Sequence, residues 1–152
     1  MTQVDFYILG TSSNDSLLRL ACRITEKAIQ KKMHVYMHTG GEADTRSLDE
    51  MLWTFSQSSF IPHRVVTAQP ASTNGEPVLI GQHDLTEAEP AEPQVRQRWD
   101  LLINLTAEVP EFFSRYDRVA EVIDADPARR ETGRNRYRFY KDRGYELKTH
   151  NV

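Results

Sequence analysis

The sequence predicts an α/β fold, a mostly parallel sheet flanked by helices, in a single domain that spans residues 1–152. The length of 152 residues, with 39% hydrophobic and 27% charged side chains, suits one domain with one core. The chain opens with strand, helix, strand and helix in alternation, an order that requires crossover helices on a parallel sheet. The stretch "WDLLINLT" at 99–106 is nearly all apolar, which is typical of a central strand buried on both faces.

The first half of the chain supplies two strand–helix pairs. An apolar run at 5–10 that ends in glycine predicts the first strand, and "HVYMHT" at 34–39 predicts the second. Apolar residues at helical spacing predict helix 1 over 14–31 and helix 2 over 43–55. These apolar positions are Leu17, Leu18, Ala21, Ile24, Ala28 and Ile29, then Leu48, Met51, Leu52 and Phe55. The single cysteine, Cys22, falls within helix 1 and is predicted to be a buried thiol.

Short strands and loops continue the chain. Residues 59–66 are predicted as a loop that enters a short strand, an Asn-Gly turn follows at 74–75, and 78–81 is a further strand. Residues 82–98 contain two prolines and four acids and are predicted to form an exposed acidic loop. The buried strand at 99–106 comes next.

The last part of the chain contains a strand and a well-marked helix. Pro110 is expected to start a short helix that contains two phenylalanines, and 118–123 is predicted as the last strand. Asp126 is a predicted helix cap, with Pro127 in the first helical position. Gly144 is the natural residue to follow the last turn of this helix.

Several classes of protein are disfavoured by what the sequence lacks. No apolar run reaches the length of a membrane span, the N-terminus lacks the pattern of a secretory signal, and one cysteine fits a reducing, cytoplasmic setting. Nucleotide-binding glycine loops and the G-x-S-x-G elbow are absent. His34 and His38 would lie about 13 Å apart on one strand, too far to share a metal ion. We therefore expect no enzyme activity, no cofactor and no metal.

Charge is unevenly distributed along the chain. Residues 127–152 contain eight Lys or Arg and three acids, a net charge of 8 − 3 = +5. Since the whole chain has a net charge of −3, the other 126 residues together carry −8. On a helix, one continuous face would hold Arg130, Arg134, Tyr137, Arg138 and Lys141. Like charges at i, i+4 repel, and an anionic ligand would relieve that repulsion.

Three interpretations of this basic, aromatic face stay open from the residues alone. It is a solvated helix surface, or it binds single-stranded nucleic acid by stacking and phosphate contact. In the third interpretation it holds an acidic peptide, with guanidinium groups on carboxylates and a ring beside an apolar anchor. The net −8 on the rest of the chain favours the peptide, because it would repel an extended polyanion but tolerate a short acidic tail.

Three stretches of the sequence carry a family resemblance. They are "FYIL" at 6–9, "LDEMLWTFSQSSFIPH" at 48–63 and "RNRYRFYKDRGYEL" at 134–147. The chain closely resembles the chi subunit family of bacterial DNA polymerase III, nearly end to end. Only the loop at 82–98 looks longer and more acidic than in that family. The resemblance implies a Rossmann-like α/β fold without catalysis.

The resemblance also implies a role as an adaptor in the clamp-loader complex during DNA replication. Such an adaptor joins the psi subunit to the C-terminal tail of single-stranded-DNA-binding protein, a tail that is acidic and ends in an apolar aromatic residue. The protein would then meet DNA only indirectly and would have no membrane partner. A helicase partner can occupy a surface that overlaps the one for psi.

Two sets of residues follow from the resemblance by position. The tail-binding set is Ile123, Arg130, Arg134, Tyr137, Arg138 and Thr149, with Arg130 standing where the family has lysine. The set for psi or another partner is Trp53, Phe60, Pro62 and His63. The residues alone favour a core position for Trp53, on the inner face of helix 2. Phe60, in a loop beside Pro62, is a candidate anchor for a partner.

Overall fold

The computed structural model describes residues 1–55, 60–66, 76–86 and 99–152. The elements in chain order are β1 (Gln3–Ile8), α1 (Asn14–Gln30), β2 (Val35–Thr39), α2 (Glu42–Thr54), β3 (His63–Val66), β4 (Val78–Gly81), β5 (Leu101–Leu105), β6 (Arg118–Ile123), α3 (Pro127–Asp142) and β7 (Leu147–Asn151). A single 3-10 turn, Phe113–Arg115, precedes β6. The predicted Asn-Gly turn at 74–75 and residues 87–98 of the predicted acidic loop lie outside the described residues.

The strands of the described residues form one seven-stranded sheet in the order β3-β4-β2-β5-β6-β1-β7. Every neighbouring pair is parallel, which confirms the predicted α/β class with its parallel sheet. β1 lies between β6 and β7, so that Ile8 pairs with Ile123 on one side and Phe6 pairs with Thr149 on the other. This register brings residues from three strands together beneath the last helix.

The two faces of the sheet are covered by different helices. α1 and α2 pack on one face, where Cys22, Leu48 and Leu52 are buried in one cluster with strand residues. α3 and the 3-10 turn cover the other face, where Tyr140 and Phe113 meet edge to face with their ring centroids 5.1 Å apart. Each face therefore has its own apolar core.

Most predicted elements appear within two residues of their expected ends. The buried position of Cys22 is also confirmed, and burial raises the pKa of its thiol to about 12. The short helix expected after Pro110 is only the 3-10 turn at Phe113–Arg115. None of the helices within the described ranges is long and apolar enough to cross a membrane.

One strand was not predicted. β7 follows the turn at Gly144, whose φ of 82° belongs to the left-handed region that glycine adopts without strain. Its sequence, "LKTHN", carries one large apolar residue and lies at the edge of the sheet, where no alternating or fully apolar pattern is required. This edge strand places Thr149 and His150 next to β1.

Candidate functional site

The amino end of α3 is held by two carboxylates, the helix cap Asp126 and the buried Asp124. The Asp126 side chain accepts a hydrogen bond from the Arg129 amide at 3.0 Å, as predicted for a helix cap, and Pro127 begins the helix. Arg129 in turn donates two hydrogen bonds to the buried Asp124, from Nε at 2.8 Å and from a terminal nitrogen at 2.6 Å. These bonds to Arg129 are the main cause that holds the pKa of Asp124 below its ordinary value.

The rotation of α3 about its own axis is set by a second buried group. Glu121 of β6 is fully buried and accepts hydrogen bonds from Arg136 Nε at 2.9 Å and from the Tyr140 hydroxyl at 2.7 Å. The amide of Asn104 donates to both of its carboxylate oxygens. Burial raises the pKa of Glu121, and Arg136 acts in the opposite direction. Because Arg136 and Tyr140 face inward, the residues between them are turned toward other surfaces.

A groove of about 220 Å³ lies between α3 and strands β1, β6 and β7. We call it the α3 groove; its lining is Phe6, Ile8, Ile123, Arg130, Gly133, Arg134, Tyr137 and Thr149. Its apolar side chains come mainly from the strands, and Phe6 and Ile123 are almost fully buried there. Its cationic groups come from the helix. The groove thus combines an apolar floor with guanidinium groups at its rim.

The rim of the α3 groove has one aromatic wall and two arginines. The Tyr137 ring meets Phe6 edge to face, with the centroids 5.2 Å apart. Arg130 is partly held in place, because its Nε donates to the backbone carbonyl of Asp124 at 3.2 Å. Arg134 is exposed and makes no ion pair with any carboxylate of the described residues. Its planar fork is therefore free to receive a carboxylate.

The structure brings together five of the six residues assigned to tail binding. Ile123, Arg130, Arg134, Tyr137 and Thr149 all line the α3 groove. The sixth, Arg138, is exposed on the same helix one turn beyond Arg134 and is not part of the lining. Arg138 can therefore attract an anionic ligand in the groove only by electrostatics at a distance, not by direct contact.

Three lining residues were missed by the sequence reasoning. Phe6 and Ile8 lie on β1, and they reach the groove only because β1 lies between β6 and β7 in the sheet. Gly133 is the third, and a Cβ atom placed on it would collide with Cδ1 of Ile123. A glycine in the middle of a helical pattern was the available signal for a close packing contact of this kind.

A second surface is an aromatic patch, in which the exposed rings of Trp53 and Phe60 lie over His63, whose side chain is buried. The rings of Trp53 and Phe60 stack with their centroids 4.9 Å apart, although the two residues are 60% and 56% exposed. The His63 ring meets Trp53 edge to face, and its Nε2 lies 3.1 Å from Asp49 of α2. Pro62 is exposed in the same loop. Large aromatic rings that stack on each other while exposed to solvent are typical of a contact surface.

The core position favoured for Trp53 is wrong. The inner face of α2 is occupied by Leu48 and Leu52, which are 0% and 1% exposed. Trp53 follows Leu52 directly, and one residue advances about 100° around a helix. The ring consequently points away from the sheet and stacks on Phe60 instead.

The fold defines a parallel α/β protein with two separate candidate surfaces for contact with other molecules. The α3 groove lies at the β7 side of the sheet, whereas the aromatic patch adjoins β3, the opposite edge strand. Within the described ranges, no three His, Cys, Asp or Glu side chains lie close enough together to hold a metal ion.

Comparison with known proteins gives the particular family. The family described as "DNA polymerase III chi subunit, HolC" matches residues 1–148. The chain is 39% identical over 152 residues to the DNA polymerase III subunit chi of Pseudomonas aeruginosa, covering 100% of this chain and 98% of that one. The same subunit of Haemophilus influenzae is 28% identical, covering 97% and 95%, and that of Escherichia coli is 26% identical, covering 98% and 97%. The chain therefore belongs to the DNA polymerase III chi subunit family, as its motifs indicated.

Proposed function

We propose that the protein is a non-catalytic adaptor of the DNA polymerase III clamp-loader complex. In this role it links the psi subunit to the acidic C-terminal tail of single-stranded-DNA-binding protein during DNA replication. The α3 groove is the observation that carries the proposal, because it joins an apolar cavity to two guanidinium groups, and that of Arg134 makes no ion pair within the described residues. A role in replication implies a cytoplasmic protein.

The tail fits the α3 groove by its chemistry. Its terminal aromatic side chain would occupy the apolar floor beside Ile123 and Tyr137, and burying such a ring contributes roughly 1.5–3 kcal/mol. Its terminal carboxylate would receive the fork of Arg134. The acidic residues before it need only a positive field, which Arg130 and Arg138 supply.

The aromatic patch is the surface we assign to the psi subunit. A few residues near the centre of a contact, with large aromatic side chains prominent among them, contribute most of its binding free energy. Trp53 and Phe60 meet this condition, with His63 and Pro62 beside them. Because the patch and the α3 groove lie at opposite edges of the sheet, both partners can bind at once.

Direct binding of single-stranded nucleic acid by α3 is the second candidate. Of the five arginines in α3, Arg129 and Arg136 are held by internal carboxylates, which leaves a shorter basic row than the sequence suggests. Fluorescence anisotropy with bare single-stranded DNA decides between the two candidates. Strong binding at physiological salt would favour nucleic acid over the acidic tail.

Calorimetric titration with a tail peptide tests the proposed function. We expect Arg134→Ala to weaken peptide binding at least about tenfold, equivalent to about 1.4 kcal/mol. Arg143→Ala is the matched control, because it removes the same charge from a guanidinium that stacks 3.5 Å above the Phe139 ring, outside the groove. Affinity should also fall as salt is added. Equal affinities for wild type and Arg134→Ala would refute the role of Arg134.

A further inference from the structure

A second groove of about 200 Å³ lies on the opposite face of β1 from the α3 groove. Alternate residues of a strand point to opposite faces, so β1 contributes Asp5 and Tyr7 to this groove while Phe6 and Ile8 line the other. We call it the α1 groove, since helix α1 forms its outer wall. Its apolar lining includes Leu20, Ile24, Ala28, Met33, Leu101 and Ala120.

The rim of the α1 groove is a row of cations. Arg23 and Lys27 of α1 and Lys31, the C-cap residue that follows it, lie at i, i+4 and i+8, the same spacing as Arg130, Arg134 and Arg138 on α3. All three are exposed, and none of them forms an ion pair with a carboxylate of the described residues. Arg19 of the same helix differs, because its Nε lies 2.8 Å from Asp15. Repulsion within the row is therefore not relieved inside the described part of the chain.

The one carboxylate in the α1 groove is already engaged. Asp5 is 3% exposed and lies 3.0 Å from a terminal nitrogen of Arg118 and 3.0 Å from His150 Nε2. Arg118 therefore balances Asp5, and the three bases of α1 remain as excess positive charge. The side chains that line the groove thus surround an apolar hollow with a net side-chain charge of about +3.

We propose that the α1 groove binds an extended acidic peptide segment that carries an apolar side chain. Bases four residues apart on a helix are about 6 Å apart along its axis, and acids two residues apart on an extended chain are separated by about 6.6 Å. Such acids can pair with successive bases of the row while a neighbouring apolar side chain enters the hollow beside Leu20 and Ile24. Asp5 occupies Arg118 at the floor, so the acids of the segment pair with the bases of the rim, and the segment needs no terminal carboxylate.

Fluorescence anisotropy with a labelled, C-terminally amidated peptide of the pattern Asp-Leu-Asp-Leu-Asp tests the proposal. The amide excludes the contact with Arg134 proposed above, so this experiment is independent of the function assigned to the α3 groove. We expect Lys27→Glu to weaken binding at least about tenfold. Arg46→Glu makes the same change in net charge at an exposed position of α2 outside the groove and should weaken it by less than about twofold.

Other outcomes overturn the proposal. They are no binding to the wild-type protein, equal loss with Lys27→Glu and Arg46→Glu, or loss of binding in Arg134→Ala, which would move the peptide to the α3 groove. Tighter binding of a thymidine oligonucleotide that Lys27→Glu abolishes would assign the groove to nucleic acid instead. If Lys27→Glu fails to fold, Lys27→Gln gives the same test, with a loss of at least about threefold expected.

Discussion

Gly133 of α3 lies directly against Ile123 of β6, with no room for a side chain between the helix backbone and the strand. A Cβ atom on Gly133 would collide with Ile123 Cδ1 and lie 3.1 Å from its Cγ1. Both residues line the α3 groove. The glycine therefore sets how closely the helix and its arginines approach the apolar floor.

Substitution of this glycine should change the groove more than the fold. Alanine is favoured over glycine in a helix by up to about 1 kcal/mol, and overpacking costs about 1–3 kcal/mol. We expect Gly133→Ala to lower the free energy of unfolding by about 0–2 kcal/mol and to weaken tail-peptide binding at least about threefold, because Ile123 must move. Calorimetry and urea denaturation measure both. Asn135→Ala, on the exposed side of α3, is the control, and unchanged peptide affinity in Gly133→Ala would contradict the account.

Removal of Arg136 should destabilise the fold far more than removal of Arg134. Arg136 is 6% exposed and neutralises the fully buried Glu121, so Arg136→Leu leaves an unpaired buried carboxylate. Breaking a buried pair in this way costs about 3–5 kcal/mol, and we expect a loss near the lower figure in urea denaturation. Arg134→Ala, at an exposed position, should change the free energy of unfolding by less than about 0.5 kcal/mol. Similar losses in the two variants would show that Glu121 does not depend on Arg136.

The ion pair between Asp124 and Arg129 should make stability depend on acid pH. A carboxyl with a lower pKa in the folded state stabilises the fold above its unfolded pKa of about 4, and that contribution is lost as the pH falls through the folded pKa. Arg129→Ala should therefore be less stable than wild type at about pH 7, and the difference should shrink below about pH 4. Denaturation curves over this range measure it, with Arg138→Ala as the control. A difference that stays constant with pH would exclude this linkage.

Loss of the Phe60 ring should weaken binding to one of the two proposed partners and leave binding to the other unchanged. Phe60 is 56% exposed, so Phe60→Ala should change the free energy of unfolding by less than about 1 kcal/mol. We expect it to weaken association with the psi subunit at least about tenfold and to leave tail-peptide affinity unchanged. Surface plasmon resonance with psi and calorimetry with the peptide test this. Glu50→Ala, an exposed position of α2 outside the patch, is the control, and a parallel loss of both affinities would indicate unfolding instead.

The order and type of most elements could be predicted because each carries a local signal. The cap at Asp126, Pro127 and the glycine after the last turn defined α3, and the apolar runs defined the central strands. β7 carries no such signal, since an edge strand with one apolar residue is stabilised by its pairing with β1.

The site could be predicted only in part, because its residues come together through long-range pairing. The face of α3 followed from helical spacing, but Phe6 joins it through the position of β1 in the sheet. Arg136 was counted with the basic residues of the segment, and only its pairing with Glu121 of β6 shows that it is buried. Trp53 was misplaced because the general preference of a large aromatic ring for burial was set above the helical spacing, which already placed Leu48 and Leu52 on the core face of α2.

The contact between Arg134 and the terminal carboxylate of the tail is the central claim, and a double-mutant cycle measures it directly. The tail peptide, with either a free carboxylate or a carboxamide at its end, is titrated into wild type and Arg134→Ala by calorimetry. We expect amidation to weaken binding to wild type at least about tenfold and to Arg134→Ala less than about twofold. Equal weakening in both proteins would show that Arg134 does not bind the carboxylate and would contradict the account.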